Sequence, residues 1–163
     1  MSAPTDSPDA ASVERFIPAP AAAIFDLLAD PARHRDIDGS GTVQGPPAGS
    51  QRLVLGSTFG MDMKAGFGYT MVNTVVEFET DRRIAWQPRP DKAFLRPFVG
   101  GRIWRYELEP SDDGGTVVTE TFDWSTSKST QYVELMGWPK RNEANVNATL
   151  DRLVAYFEHR ADL

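Results

Sequence analysis

PKRNEANVNATLDRLVAYFEHRADL (Pro139–Leu163) closes the chain and decides how the rest of it is read. Proline suits a first helical position, because its missing N–H would have no partner there. Val146, Leu150, Leu153 and Phe157 then recur at spacings of four, three and four. At about 100° per residue they fall within roughly 60° of one another. Val154 and Tyr156 widen this apolar stripe, and Glu143, Ala148, Asp151, Ala155 and Glu158 lie behind it. The pattern predicts a long amphipathic helix of about 22 residues, about 33 Å from end to end. Such a helix needs an extended apolar surface to lie on.

The middle of the chain supplies that surface. Phe59, Met61, Met63 and Ala65 alternate with Asp62 and Lys64, the mark of a half-buried strand over Ser57–Ala65. Met71–Glu79 reads as another, with Val72, Val76 and Phe78 on one face, and Ile84–Gln87 returns after a turn at Asp81-Arg82. Arg102–Glu109 places Trp104, Tyr106 and Leu108 on one side and Arg105, Glu107 and Glu109 on the other. A hairpin turn at Asp112–Gly115 leads to Thr116–Trp124, where Val118, Glu120, Phe122 and Trp124 share a face. Gln51–Leu55 is a further strand candidate, and Gly39–Gly49 reads as a Gly- and Pro-punctuated connection.

Ahead of these, Met1–Ala11 reads as a loose tail and Val13–Ile17 as an opening strand. Pro18 and Pro20 stop the strand and open a short helix that buries Ile24, Leu27 and Leu28. Asp30-Pro31 is an N-cap and first-turn pair for a second short helix. It carries Arg33, His34 and Arg35 and ends near Asp38-Gly39. The prediction is a single α+β domain over residues 12–163, with a flexible tail over 1–11. About seven antiparallel strands curve, as twisted sheets do, around one long C-terminal helix. One helix about 10 Å wide cannot fill a deep concavity alone. Bulky side chains fill the remainder, or a cavity is left.

Composition narrows the function. The chain has 163 residues, 40% of them hydrophobic, enough for one domain with its own core. It has no cysteine, which rules out disulfides, thiolate metal sites and a Cys nucleophile. A formal charge of −6 argues against a nucleic-acid partner. No apolar run reaches the roughly 20 residues of a membrane span, and no basic-then-apolar signal peptide opens the chain. A cytoplasmic protein, monomeric or homodimeric, is the expectation. Neither a nucleophile elbow nor a phosphate loop occurs, and two distant histidines offer little to a metal. No metal and no cofactor are expected.

The order and the residues resemble the helix-grip (SRPBCC) superfamily, which includes START domains, birch-pollen-allergen-like proteins and polyketide cyclases. The matching segments are Val13–Ile17, PAPAAAIFDLLADPARHRDID from Pro18, GSTFGM from Gly56, RRIAWQP from Arg82, GTVVTETFDWS from Gly115, and GWP at Gly137 before the last helix. The resemblance covers everything after the tail and implies a helix-grip fold. It also implies a hydrophobic ligand, in some members cyclised, dehydrated or hydrolysed. It carries no fixed catalytic motif over to this chain.

Three side chains are candidates for chemistry. His34 borders the cavity mouth in the resembled fold and could serve as acid or base; alternatively it is a solvated helix residue between two arginines. Glu120 points inward by parity, and an inward carboxylate must find a partner or take up a proton. It could polarise a ligand, or pair structurally with Arg102, whose parity matches Trp104 and Tyr106. Tyr106 is the third proton-shuttling candidate. A ligand site would draw on Phe59, Met61, Met63, Trp86, Trp104, Tyr106, Glu120, Phe122, Asn142, Val146, Leu150 and Leu153, although core packing is the favoured account of most of its aromatics. Tyr69 and Trp124 add aromatic surface. Asn142 lies one turn before Val146 on the inward stripe. His159, at the helix end, complements the dipole. The Pro88–Gly101 loop, with Phe94, Leu95, Phe98 and Val99, gates the cavity, packs in a dimer, or tucks into the core. The leading expectation is a carrier of a small lipid-, sterol- or polyketide-like molecule. A polyketide cyclase/dehydratase is the second, and an interaction module with a filled interior the third.

Overall fold

In a computed structural model, residues 8–39, 43–45, 51–65, 67–93, 101–127 and 130–161 are described. The opening strand β1 (Ala10–Ile17) starts earlier than its apolar pattern suggests. Ala10 pairs with Asp123, and the Trp124 N–H donates to the Asp9 carbonyl, so Ala10 and Ala11 belong to the sheet and not to the tail. Helix α1 (Ala21–Leu28) follows Pro20 and buries Phe25 beside Ile24, Leu27 and Leu28. The Asp30 carboxylate accepts from the Ala32 N–H at 3.1 Å and caps a single 3-10 turn, Pro31–Arg33. Helix α2 (His34–Ile37) continues directly from it.

Among the described residues seven strands form one antiparallel sheet in the order β1-β7-β6-β5-β4-β3-β2. Beyond β1 these are β2 (Val43–Gly45), β3 (Thr58–Ala65), β4 (Phe67–Glu79), β5 (Arg83–Pro90), β6 (Ile103–Pro110) and β7 (Thr116–Asp123). Each consecutive pair from β2 to β7 lies side by side, and β1 closes against β7. Strand β2 sits inside the segment read as a punctuated connection. Gln51–Leu55 is not a strand; its Leu53 N–H donates to the Ala29 carbonyl instead, tying the segment to the end of α1. Pro88 and Pro90 extend β5, where the sequence suggested the start of a loop. Residues 94–100, with Phe94, Leu95, Phe98 and Val99, lie outside the described residues.

Strand β4 reverses the predicted face. Met71, Asn73 and Val75 are buried, whereas Val72 and Val76 are exposed. Phe78 nevertheless turns inward and meets Phe25 edge to face, ring centroids 5.2 Å apart. The cause is a register shift between Val75 and Glu77. One extra residue inverts the in/out parity beyond it and bends the strand.

Helix α3 (Thr130–Leu135) precedes α4 (Trp138–Ala161), whose 24 residues make it slightly longer than expected. Helix α4 packs on β1 and β7 and touches α2. Val146, Leu150 and Leu153 are its buried residues in the main core. Gly39 sets how closely α2 and α4 approach. A Cβ at that position would strike the α4 backbone at Asn145 and Thr149, and the Gly39 N–H donates to the Thr149 hydroxyl at 3.0 Å. Arg15 of β1 pins the helix from the other side through Asp151 and Asn147.

The buried apolar residues form two clusters, which Trp104 joins. A large cluster gathers α1, α2, α4 and the inner faces of β3 to β7, including Phe59, Trp86, Tyr106 and Val118. A smaller one joins Phe122, Trp124 and Val133. Along β7 the break falls between Val118 and Phe122, where Glu120 stands. No helix among the described residues is long and apolar enough to cross a membrane.

Candidate functional site

The site grows from the inner face of β5, β6 and β7. Successive strand residues point to opposite faces, and directly opposed residues share one. Trp86 faces Trp104 across β5 and β6, and Tyr106 faces Glu120 across β6 and β7. The Tyr106 hydroxyl donates to Glu120 Oε1 at 2.7 Å. Both residues are buried, and Glu120 Oε2 has no hydrogen-bond partner among the described residues. Arg102 is not the partner of Glu120. It precedes β6 by one residue and lies four positions from Tyr106, about 13 Å along an extended chain.

Burial drives the chemistry of the pair. It pushes the Glu120 carboxyl up to about 8, against the opposing pull of the Tyr106 hydrogen bond and with a smaller push from the Asp38 charge. Burial also raises the Tyr106 phenol well above its usual range, and the neighbouring Glu120 adds to the shift. At pH 7 Glu120 is therefore mostly the neutral acid. A carboxylic acid held neutral by an apolar site can donate a hydrogen bond.

His34 completes the arrangement, and it is buried, not solvated. The capped 3-10 turn delivers it inward at the start of α2. Its ring stacks on Trp86 at 5.0 Å with 20° between planes, and meets Phe59 edge on at 5.5 Å. Trp86 continues to Tyr106 at 5.4 Å. His34, Trp86, Tyr106 and Glu120 thus form one connected wall. Burial holds the His34 imidazole below its usual range, against the Leu28 hydrogen bond and the Asp30 and Asp38 charges. His34 Nε2 lies 2.7 Å from the Leu28 carbonyl, which can only accept. The hydrogen of the neutral ring is thereby assigned to Nε2. Nδ1 is left as a bare acceptor, with no partner among the described residues.

The other expected lining residues divide. Trp104 tilts against Phe122 at 4.8 Å and bridges the two apolar clusters. Phe122 leads on to Trp124 at 5.6 Å. Val146, Leu150 and Leu153 are core side chains beneath α4, and Asn142 is half-buried near the start of that helix. Met61 and Met63 lie on β3, opposite Met71 and Tyr69, with their side chains outside the described residues. Two residues escaped the sequence reading. Asn73, on β4 opposite Phe59, is buried with its Nδ2 unpartnered among the described residues. Its alternation with Met71 and Val75 carried the signal, and the bulge hid it. Asp38 is the one charge that acts on His34, Tyr106 and Glu120 alike. Among the described residues no group of three or more His, Asp or Glu could hold a metal ion.

Comparison with known proteins agrees with this architecture. Residues 9–158 match the sequence profile of a family described as polyketide cyclase / dehydrase and lipid transport. An uncharacterized protein of Mycobacterium tuberculosis is 36% identical over 142 residues, 84% of this chain and 59% of that protein. The chain therefore spans little more than half the length of that relative. The crystal structure of a Nitrosomonas europaea protein superposes with a TM-score of 0.71, at 16% identity over 97% of this chain and 99% of that one. That of a Mycobacterium smegmatis protein gives 0.67, at 16% identity over 93% and 92%.

Proposed function

Because the chain belongs to the polyketide cyclase/dehydrase and lipid transport family, we propose that it binds a small hydrophobic molecule, lipid-, sterol- or polyketide-like, between the sheet and α4. One observation carries this reading. Two buried polar atoms, Glu120 Oε2 and His34 Nδ1, have no hydrogen-bond partner among the described residues, and the ring contacts of Trp86 link the side chains that bear them. Buried polar groups are ordinarily satisfied. Apolar surroundings with a few placed polar groups are the usual composition of a small-molecule site. A monomer or homodimer that takes no nucleic acid completes the proposal.

Native mass spectrometry of the full chain purified from its own host tests it. The expected result is a small-molecule adduct that denaturation releases. A bare protein mass, together with no thermal stabilisation by neutral aromatic or sterol probes, overturns the reading.

A second reading rests on the Tyr106–Glu120 hydrogen bond. Here a neutral acid and a phenol are hydrogen-bonded to one another, and either would have to reach the substrate's own proton to transfer one. In a cyclase or dehydratase, much of the rate comes from holding one reactive conformer. Glu120, Tyr106 and His34 would then move protons. Return of the bound molecule at unchanged mass supports carriage, and its return with water lost supports dehydration.

A further inference from the structure

The polar groups of the wall offer one hydrogen bond of each kind. The Leu28 carbonyl consumes the N–H of His34, so what the ring has left is an acceptor. The Tyr106 hydroxyl occupies Oε1 of Glu120, so what the acid has left is Oε2. An ionised carboxylate in that position would be costly, since its neighbours are aromatic rings and the like charge of Asp38. Oε2 therefore carries the proton and donates. Trp86 links His34 to Tyr106 in two ring-to-ring steps of 5.0 and 5.4 Å.

Building on the binding role, we infer that the bound molecule is uncharged at its buried end and of hydroxy-ketone type, its hydroxyl donating to His34 Nδ1 and its carbonyl accepting from Glu120 Oε2–H. The two ring-to-ring steps set the scale of a fused bicyclic probe. A carboxylate would meet a lone pair at one end and an Asp38-biased acid at the other. A bare hydrocarbon would leave both polar atoms unsatisfied. Sites built to hydrogen-bond a substrate group reject the analogue that lacks it, because their own buried groups are then stranded.

The test uses the full chain and five probes of one size: an acetylnaphthol with its hydroxyl and ketone at opposite ends, its methyl ether, the matching ethylnaphthol, ethylnaphthalene and a hydroxynaphthoate. Calorimetric titration at pH 7 is expected to rank the acetylnaphthol about tenfold or more above the ether and the ethylnaphthol, with ethylnaphthalene and the naphthoate weaker still, about 1.4 kcal/mol per tenfold step. Nitrogen NMR of labelled histidine, which needs no substitution, is expected to move the His34 Nδ1 resonance with the acetylnaphthol and not with its ether. In the variant His34→Phe the acetylnaphthol and its ether should bind alike. Equal affinities for all five probes, or an Nδ1 resonance indifferent to the hydroxyl, overturn the inference while leaving the binding role intact. Failure of every probe to bind, ethylnaphthalene included, sinks both.

Discussion

The sheet carries two glutamate environments on opposite faces, Glu77 of β4 and Glu120 of β7, and the two differ in every respect that matters. On the outer face Arg105 donates to both carboxylate oxygens of Glu77, at 2.7 and 2.8 Å, and reaches Asp123 at 3.5 Å. That hydrogen bonding holds the Glu77 carboxyl below its usual range, with burial opposing it. On the inner face, one residue further along β6, Tyr106 meets Glu120 with a single neutral hydrogen bond, and burial drives that carboxyl the other way. The outer cluster is charged and closed; the pairing of its members accounts for them. The inner pair is neutral and incomplete. The same side chain becomes a structural anion or a proton donor according to which way the pleat turns it.

The largest expected difference is in pH dependence. Glu120 is held at about 8 in the folded chain against an ordinary value of 4.5. Folding thus favours its protonated form. Its contribution to stability is complete below about pH 4.5 and is lost as pH rises through 8, on the order of a few kcal/mol in all. His34, held low, has the opposite sign, contributing above its ordinary 6.5 and losing that contribution as pH falls. Between about 6.5 and 8 the Glu120 slope therefore acts alone of the two. Urea unfolding at pH 6.5 and 8.5 should show the decline, and Glu120→Gln should flatten it. A parental slope in that variant would break the inner half of the comparison.

Next in size is Tyr106→Phe. It removes the only partner of Glu120 among the described residues and should cost about 1–3 kcal/mol. That bond pulls the Glu120 carboxyl down, so its loss should carry the pH-dependent decline to still higher pH. Chemical denaturation across a pH series reads both effects. The smallest change belongs to the outer face. Arg105→Met should cost about 1 kcal/mol, since the cluster is only partly shielded from water. Added salt should narrow the gap to the parent. A loss larger than that of Tyr106→Phe would reverse the ranking of the two faces.

Periodic segments were legible in the sequence because their hydrogen bonds and their apolar stripe lie within the segment itself. Helix α4, β6 and β7 follow from such patterns, as does the inward aim of Glu120. Strand β4 was misread because a bulge is a property of two paired strands: nothing in Met71–Glu79 alone says that Val75 and Glu77 will slip against Trp86 and Ala85. The three-residue β2 has too few positions to show a period and exists through its pairing with β3. The sequence leaves His34 between the cavity mouth and solvent, and a capped turn rotates it onto Trp86.

By itself the sequence determined the α+β plan, the closing helix and the residue types able to hold protons, because local spacing encodes which faces are apolar. Only the tertiary structure decided that Tyr106 and not Arg102 meets Glu120, and that His34 Nδ1 has no partner among the described residues. Register, burial and the loss of water are set by contacts between distant segments, and those contacts choose the charge and the hydrogen-bond sense of each group.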